Sequence, residues 1–270
     1  MEYFEAPPSS DVSGFVKLFW SVRADAAGSA AHEPVLPDGC PEVVVNCADP
    51  FERRLAAGSE IQPRVLISGQ ILRAVHIRPT GRVDLFGVRF QPWGARALFG
   101  MPMSSLAGMV EGLSAVDPPL SRELEGAIAE HDSFSSRQAA FEKILRRRAA
   151  HRAIGLELPR AAVEAISAAC GPVSVRQLSA GLGVGERRLQ RVFRESVGLS
   201  PKSYSRIDRF QKMLRYLGRS HRLNVLDTAY SLGYYDQSHL IRDFKEIAGF
   251  TPGAFENSGD GISGLLIGGV

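Results

Sequence analysis

The chain has 270 residues, with 44% hydrophobic and 23% charged side chains. This length allows two modest domains, and the composition is that of a globular protein instead of a disordered or fibrous one. No apolar run approaches the ~18 residues that a membrane span needs, and the N-terminus lacks the basic and apolar segments of a signal peptide. We therefore expect a cytoplasmic protein without membrane contact.

Positive charge is concentrated in the C-terminal part of the chain. Residues 158–257 contain 15 Lys and Arg against 9 Asp and Glu, whereas the whole chain has a net charge of only +3. A basic segment of this kind favours a nucleic-acid partner.

The first hundred residues are rich in short extended segments separated by turn signals. Candidate strands cover residues 15–22, 33–36, 42–46, 64–68, 74–78 and 83–90. In the last of these, Phe86 and Phe90 lie on one face, which we expect to be the inner one. Pro37-Asp38-Gly39 suits a tight connection between two strands. The pattern predicts a small β-barrel or β-sandwich.

Two amphipathic helices are predicted between residues 118 and 150. Apolar residues recur every four positions from Leu120 to Ile128, and Ser135 with Gln138 resembles a capping box at the start of the second helix. The apolar faces either pack on the β-domain of the same chain or form a homodimer seam. The basic run 146–148 is expected to be solvated and to lead into a linker over residues 151–157.

The last third of the chain contains an internal repeat. Leu189-Gln-Arg-Val-Phe193-Arg-Glu195 matches Leu240-Ile-Arg-Asp-Phe244-Lys-Glu246, and Gly198-Leu-Ser-Pro201 matches Gly249-Phe-Thr-Pro252, at the same sequence offset. Leu182-Gly183 and Leu232-Gly233 end a short helical segment ahead of each copy. The pattern of each unit therefore predicts a helix, a short turn and a second helix, which is the arrangement of a helix-turn-helix.

The outward faces of the two second helices carry side chains suited to a DNA major groove. Arg can form two bonds to guanine, Gln can do so to adenine, and an aliphatic group can contact a thymine methyl. Ile241 lies off the predicted buried stripe, and we expect it to contact DNA, while Asp236 is predicted to cap its helix. The predicted DNA-binding residues are Arg187, Arg188, Gln190, Arg191, Arg194, Gln237, Ser238, Ile241, Arg242 and Lys245.

A long helix is predicted between the two units. Ser200-Pro201 is a start signal, and apolar residues recur at helical spacing from Tyr204 to Leu217. About 18 residues span roughly 27 Å, close to the ~34 Å that separates successive major grooves on one side of DNA. One chain is therefore expected to bind two successive major grooves of double-stranded DNA.

Residues 158–257 also resemble the AraC/XylS-type DNA-binding domain of bacterial transcription regulators. The family signature matches this sequence from Ala229 to Lys245 and again at Gly249-Phe-Thr-Pro252. The resemblance implies seven helices, of which the third and sixth enter DNA, and RNA polymerase as a partner of an activator. It assigns base-reading positions to Arg187, Gln190, Arg191, Gln237, Ser238, Ile241 and Arg242.

Four positions depart from the usual family pattern. Tyr234 and Leu240 replace Phe, Met213 replaces Ala, and Glu256 stands where a basic residue is usual. We interpret the first three as apolar exchanges in a repacked core, whereas Glu256 is expected to remove a phosphate contact.

The N-terminal half resembles the sensory half of AraC-like regulators. The resemblance rests on Leu36-Pro-Asp-Gly-Cys-Pro-Glu42 and Phe86-Gly-Val-Arg-Phe-Gln-Pro-Trp93, and it implies a cupin-like or related β-barrel that senses a signal. The predicted ligand-binding residues are Trp20, His32, Arg89 and Trp93.

Three classes of function compete for this arrangement. A regulator controlled by a small-molecule effector is favoured, and a thiol- or metal-responsive regulator that uses Cys40 and Cys47 is the alternative. No CxxC, HxH or HxxxH spacing supports a metal site. An enzyme ranks last because no GxSxG, P-loop, HExxH or dinucleotide fingerprint occurs, and no catalytic residue or cofactor is predicted.

The sequence thus predicts an α+β chain in four parts. A β-rich sensory domain with a helix pair covers residues 1–150, and a linker covers 151–157. The all-α DNA-binding domain with two helix-turn-helix units covers 158–257, and residues 258–270 form a flexible tail. The DNA-bound protein is expected in the nucleoid.

Overall fold

The N-terminal region folds as a β-sandwich. The computed structural model describes residues 1–25, 31–149, 155–169, 171–219 and 229–256. One antiparallel sheet has the strand order β1-β2-β9-β4-β7-β10, and the other has the order β3-β8-β5-β6. The strands are β1 (Glu2–Ala6), β2 (Val16–Ala24), β3 (Glu33–Val35), β4 (Glu42–Asn46), β5 (Phe51–Leu55), β6 (Gly58–Ile61), β7 (Val65–Ser68), β8 (Val75–Pro79), β9 (Val83–Phe90) and β10 (Val110–Gly112).

Helices follow the last long strand and make up the C-terminal half. They are α1 (Ala95–Phe99), a 3-10 helix (Met103–Leu106), α2 (Leu113–Val116), α3 (Pro118–Ala129), α4 (Phe134–Ala149), α5 (Glu157–Ala168), α6 (Val175–Gly181), α7 (Glu186–Val197), α8 (Pro201–Arg219), α9 (Gln237–Ala248) and α10 (Pro252–Glu256). Among the described residues, no helix is both long and apolar enough to cross a membrane.

The six predicted strands are confirmed within two residues at each end, and the predicted fold class is confirmed as a sandwich. Within the described ranges the sheets do not close into a barrel, because β1 and β10 are opposite edges of the larger sheet. Four strands were not predicted. Among them β5 and β6 form a hairpin with polar, partly exposed residues, for example Arg53 opposite Glu60, so they lack the apolar alternation that marks a strand.

Strand β9 is buried on both faces, and the prediction of its inner face was wrong. Val83 and Leu85 face the smaller sheet and pack with Trp20 and Phe51. Phe86 lies in a separate cluster, outside the space between the sheets. The aromatic face is therefore covered by helices, and the aliphatic face fills the sandwich.

The helix pair α3 and α4 provides this cover. The Phe141 ring of α4 lies 6.0 Å from the Phe19 ring and 6.4 Å from the Phe86 ring. These apolar faces pack on their own chain, so they do not form a homodimer seam. The predicted capping box was also wrong: Ser133, not Ser135, caps α4 by accepting a bond from the Ser136 amide at 3.2 Å.

The basic run 146–148 belongs to α4. Arg146 and Arg147 are exposed to solvent, as predicted, and all three side chains are also paired with carboxylates. Arg147 pairs with Glu123, and Arg148 Nη1 lies 2.5 Å from an Asp117 carboxylate oxygen. Asp117 caps α3 and Glu123 lies in the middle of α3, so Arg147 and Arg148 connect the two helices. Residues 151–154 of the predicted linker and the whole predicted tail lie outside the described residues.

Two apolar clusters connect the sandwich to the C-terminal helices. One contains Phe19 and Phe86 of the sandwich together with Phe193 of α7. The other contains Leu36, from the loop after β3, together with Phe244 of α9. The helical region is therefore packed on the β-sandwich by way of shared cores.

Glycine at position 87 is required by the packing inside the sandwich. A Cβ atom on Gly87 would overlap the indole of Trp20, whereas a Cβ on Gly126, at an exposed position of α3, would meet nothing within 4 Å. We expect Gly87→Ala to lower the free energy of unfolding by about 1–3 kcal/mol through overpacking. Gly126→Ala, the same chemical change, should raise it by about 0.5–1 kcal/mol because alanine favours helix.

Urea unfolding followed by circular dichroism measures both effects. Equal stability changes of the same sign in the two variants would contradict this packing of the sandwich.

Candidate nucleic-acid interface

The first helix-turn-helix unit consists of α6 and α7. Ser174 caps α6 by accepting a bond from the Gln177 amide, and the turn passes through Gly183, whose φ of 66° favours glycine. In α7 the predicted apolar stripe is confirmed: Leu189, Phe193 and Val197 are buried, and Val192 is half-buried. The opposite face of α7 is left to solvent.

The second unit has the same turn as the first. The amides of Gly183 and Val184 donate to the carbonyls of Ala180 and Ser179 at 3.2 and 3.0 Å. The matching amides of Gly233 and Tyr234 donate to Tyr230 and Ala229 at 3.0 and 2.9 Å. Helices α7 and α9 each have 12 residues and end at a glycine with positive φ, Gly198 or Gly249. The sequence repeat is therefore also a structural repeat.

The inner residues of the second unit follow the prediction as far as the structure describes them. Ala229, Leu232, Leu240, Phe244 and Ile247 are buried. Val225 and Leu226, which the helical spacing of the second unit also predicts to face inward, lie outside the described residues.

Nine of the ten predicted DNA-binding side chains are exposed. They form two sets, one on α7 and one on α9: Arg187, Arg188, Gln190, Arg191 and Arg194, then Gln237, Ser238, Arg242 and Lys245. Ile241 differs, because it is half-buried and packs against the apolar cluster around Phe244. The prediction that Ile241 lies off the buried stripe was therefore only partly right.

The helix between the units has the predicted limits and caps. It begins at Pro201, where Ser200 Oγ accepts a bond from the Ser203 amide at 3.1 Å. The residues Tyr204, Ile207, Phe210, Leu214 and Leu217 are all buried. Asp236 caps α9, since its carboxylate accepts a bond from the His239 amide at 2.7 Å.

A buried carboxylate fixes α9 to the connecting helix α8. Asp243 accepts a hydrogen bond from the Tyr234 hydroxyl at 2.7 Å. It also forms a salt bridge with Arg206 of α8. Arg209 of α8 lies over the Tyr234 ring, 4.6 Å from its centroid. Tyr234 is thus not a simple apolar exchange for Phe, because its hydroxyl belongs to this network.

Sequence reasoning missed this group of positioning residues. The available signal was a pair: a tyrosine in place of Phe at 234, and an aspartate at 243 on the inner side of an apolar stripe. The two other exchanges fit a repacked core, since Leu240 and Met213 are buried. The side chain of Glu256 is outside the described part of the chain.

Both units are also attached to the β-domain. Arg96 of α1 binds Glu195 of α7 at 3.2 Å. At the other unit, the Ala74 amide donates to the carbonyl of Ile247 at 2.8 Å, and Arg73 lies 3.5 Å from Glu246. Each helix-turn-helix unit is thus bound to the β-domain, and the exposed faces of α7 and α9 remain in contact with solvent.

Two family models match the chain. Residues 4–111 match a model described as "Domain of unknown function (DUF6597)", and residues 178–258 match one described as "Helix-turn-helix domain". The C-terminal region is an AraC-type helix-turn-helix domain. The domain match supports a DNA-binding transcription regulator whose partner is double-stranded DNA.

Solved structures similar to this chain include ToxT from Vibrio cholerae O395, with 11% identity and a TM-score of 0.49 over 93% of this chain and 99% of that chain. Unsaturated fatty acid bound wild-type ToxT from Vibrio cholerae strain SCE256 has 9% identity and a TM-score of 0.46 over 94% of each. A probable AraC family transcriptional regulator from Rhodopseudomonas palustris CGA009 has 26% identity and a TM-score of 0.33 over 37% of this chain and 94% of that chain.

No curated protein sequence matches at a significant level. All three TM-scores are below 0.5, so the AraC-type assignment depends on the domain model and on the repeated geometry.

The four predicted ligand-binding residues do not meet in one site. Trp20 lines a small cavity of about 80 Å³ between the sheets. Arg89 is buried, with its Nε atom 2.5 Å from Glu42 and 3.0 Å from Asp38. His32 lies beside Glu52 at 3.8 Å. Trp93 donates to the carbonyl of Gly14 at 3.1 Å and lines a cleft next to the AraC-type domain.

The cysteines do not form a sensor pair. Cys40 and Cys47 are free thiols on either side of β4, so their Cα atoms are on the order of 20 Å apart, whereas a disulfide needs less than ~7 Å. Burial raises the pKa of Cys40 to about 12 and also raises the pKa of Cys47. In the described part of the chain, no cluster of three or more His, Cys, Asp or Glu is placed to hold a metal ion.

We expect Cys40 to be almost inert in the native protein. With a pKa of about 12 its thiolate fraction at pH 8 is on the order of one in ten thousand, and the thiolate is the nucleophile. In a Cys170→Ser background, iodoacetamide should alkylate Cys40 at least tenfold more slowly than in urea, as followed by mass spectrometry of the Cys40 peptide. Equal rates in the folded and unfolded protein would return Cys40 to the list of reactive thiols.

Proposed function

We propose that this regulator binds two successive major grooves of double-stranded DNA with α7 and α9. The observation that carries this proposal is the pair of equal helices, each following the same turn and each exposing a polar or basic face. Arg and Gln on such faces can bind base edges in a major groove. The contacting residues are the ten predicted ones, with Ile241 as an apolar contact that also supports its own core.

The length of α8 supports simultaneous binding of both helices. It has 19 residues and therefore spans about 28 Å, close to the ~34 Å between successive major grooves on one face of DNA. Asp243 and Arg206 fix the angle between α8 and α9. The target of one chain is accordingly an asymmetric site with two different halves.

In this proposal, residues 1–150 sense a small-molecule signal and residues 158–257 bind DNA, with 151–157 as the linker and 258–270 as the tail. The loop after β3 supports such control, because the Pro37 carbonyl accepts a bond from Gln211 of α8 at 2.7 Å. A second copy of the chain and, for an activator, RNA polymerase are the further partners, and the bound protein lies in the nucleoid. We expect no catalytic turnover.

We expect Arg191→Ala and Arg242→Ala each to reduce the preference for specific over non-specific DNA. Each loss should be about 1–3 kcal/mol if the guanidinium makes two bonds to a base. The specific site is first selected from a random DNA library with the purified protein, and affinities are then measured by fluorescence anisotropy at fixed salt. Arg122→Ala, an exposed Arg of α3, is the matched control and should bind like the wild type.

The pattern of loss separates the two types of contact. Equal loss on specific and non-specific DNA would make Arg191 and Arg242 phosphate contacts. Wild-type affinity in both variants would contradict the assignment of α7 and α9 as recognition helices.

A further inference from the structure

A cleft of about 620 Å³ lies between the β-sandwich and the helices α5 and α8. The sandwich side includes Lys17 of β2 and the loop residues Asp38, Gly39 and Cys40, and the helical side includes Arg215 of α8. Its volume is in the range of small-molecule binding sites. A molecule bound here contacts both the sandwich and the helix that joins the two helix-turn-helix units.

The carboxylates of this cleft are already paired with cations. Arg89 Nε lies 3.0 Å from Asp38, Arg160 Nε lies 2.8 Å from Glu164, and Lys212 Nζ lies 2.8 Å from Asp208. These pairs use up the negative charge of the cleft, so its carboxylates are not available to neutralise a further cation.

Lys17 and Arg215 are the cations of the cleft that have no carboxylate partner among the described residues. Across the residues that the structure describes, neither lies within 4.0 Å of a carboxylate oxygen, and Lys17 Nζ lies 3.8 Å from Cys40 Sγ. Lys17 is exposed and Arg215 is half-buried. One is on the sandwich side and the other is on α8, so the cleft has an uncompensated positive charge on each of its two walls.

We propose that this cleft binds a small organic anion with two acidic groups, one bound by Lys17 and the other by Arg215. Such a molecule joins β2 to α8 by two charge-assisted bonds and so stabilises the present position of the helical region on the sandwich. The binding site stands on the cleft alone, whereas its effect on DNA binding rests on the proposed function.

The test uses the full chain and isothermal titration calorimetry at constant ionic strength. Citrate is the organic probe with more than one acidic group, and inorganic phosphate is the small probe whose charge lies on a single acidic group. We expect citrate to bind and phosphate to bind at least tenfold more weakly. Equal binding of both probes, or no citrate binding up to about 10 mM, overturns the proposal.

Variants locate the site. Lys17→Gln and Arg215→Gln should each weaken citrate binding about tenfold or more, since each removes one bond to a charged group. Arg122→Gln removes an exposed Arg outside the cleft and should bind citrate like the wild type. Urea unfolding checks that each variant folds. An equal loss in Arg122→Gln and in the two cleft variants overturns the assignment.

Chemical labelling gives a readout at the residue itself. Citrate should protect Lys17 from acetylation by acetic anhydride and leave Lys143, an exposed lysine of α4, as reactive as before. Identical labelling of Lys17 with and without citrate overturns the site.

DNA affinity separates this proposal from the proposed function. Citrate should change the affinity of the wild type for its selected DNA site and leave that of the Lys17→Gln, Arg215→Gln double variant unchanged. Citrate binding without any change in DNA affinity overturns the regulatory link. If the chain binds no specific DNA, the proposed function is contradicted. The calorimetry still shows whether citrate binds in the cleft.

Discussion

A continuous apolar core joins the β-sandwich to the first helix-turn-helix unit, and the rest of the structure depends on it. It runs from Phe19 and Phe86 on the sheet, through Phe141 of α4, to Phe193 of α7. Burial of each large apolar side chain contributes on the order of 2–3 kcal/mol. Moving α7 away from the sandwich would therefore expose apolar side chains to water, at a cost in free energy.

The second helix-turn-helix unit is attached by a different region of the sandwich. Leu36 enters the apolar cluster of Phe244, and the neighbouring Gly39 lies under the ring of Tyr204, where a Cβ atom would be only 3.1 Å from Cε2. Gln70 donates to the Gly39 carbonyl at 2.8 Å. The loop after β3 thus contacts the sandwich on one side and α8 on the other. A displacement of this loop therefore changes its contacts with α8.

The sequence was most informative where local rules and repetition agree. The two helix-turn-helix units, their glycine ends and the caps Ser200 and Asp236 are local features, so the sequence alone predicts them. The inner face of β9 is not local, because β9 is covered on both sides and only the position of α3 and α4 distinguishes the two faces. The hairpin of β5 and β6 was missed since its polar residues do not alternate with apolar ones.

The candidate sites show the same division. The exposed residues of α7 and α9 follow from helical spacing, whereas Trp20, Arg89 and Trp93 were grouped from residue type alone. The fold separates them: Trp20 lies between the sheets, Arg89 is buried between two carboxylates, and Trp93 lines the cleft between the sandwich and the helices α5 and α8. Which side chains share a cavity depends on sheet pairing over long sequence distances, and residue type does not encode that pairing.

The buried aspartate of α9 has a further consequence for how α7 and α9 can change. Val192 stands at the position of α7 that corresponds to Asp243, so α7 has no buried aspartate there, and the ion pair that it does form, Glu195 with Arg96, is half-exposed. Buried apolar contacts tolerate side-chain exchanges that conserve volume, whereas removing one partner of a buried ion pair leaves an unpaired charge. Natural variation should therefore be freer in the contacts beneath α7 than in those beneath α9. If each helix binds one half of the DNA site as proposed, new DNA preferences should arise more readily in the half bound by α7.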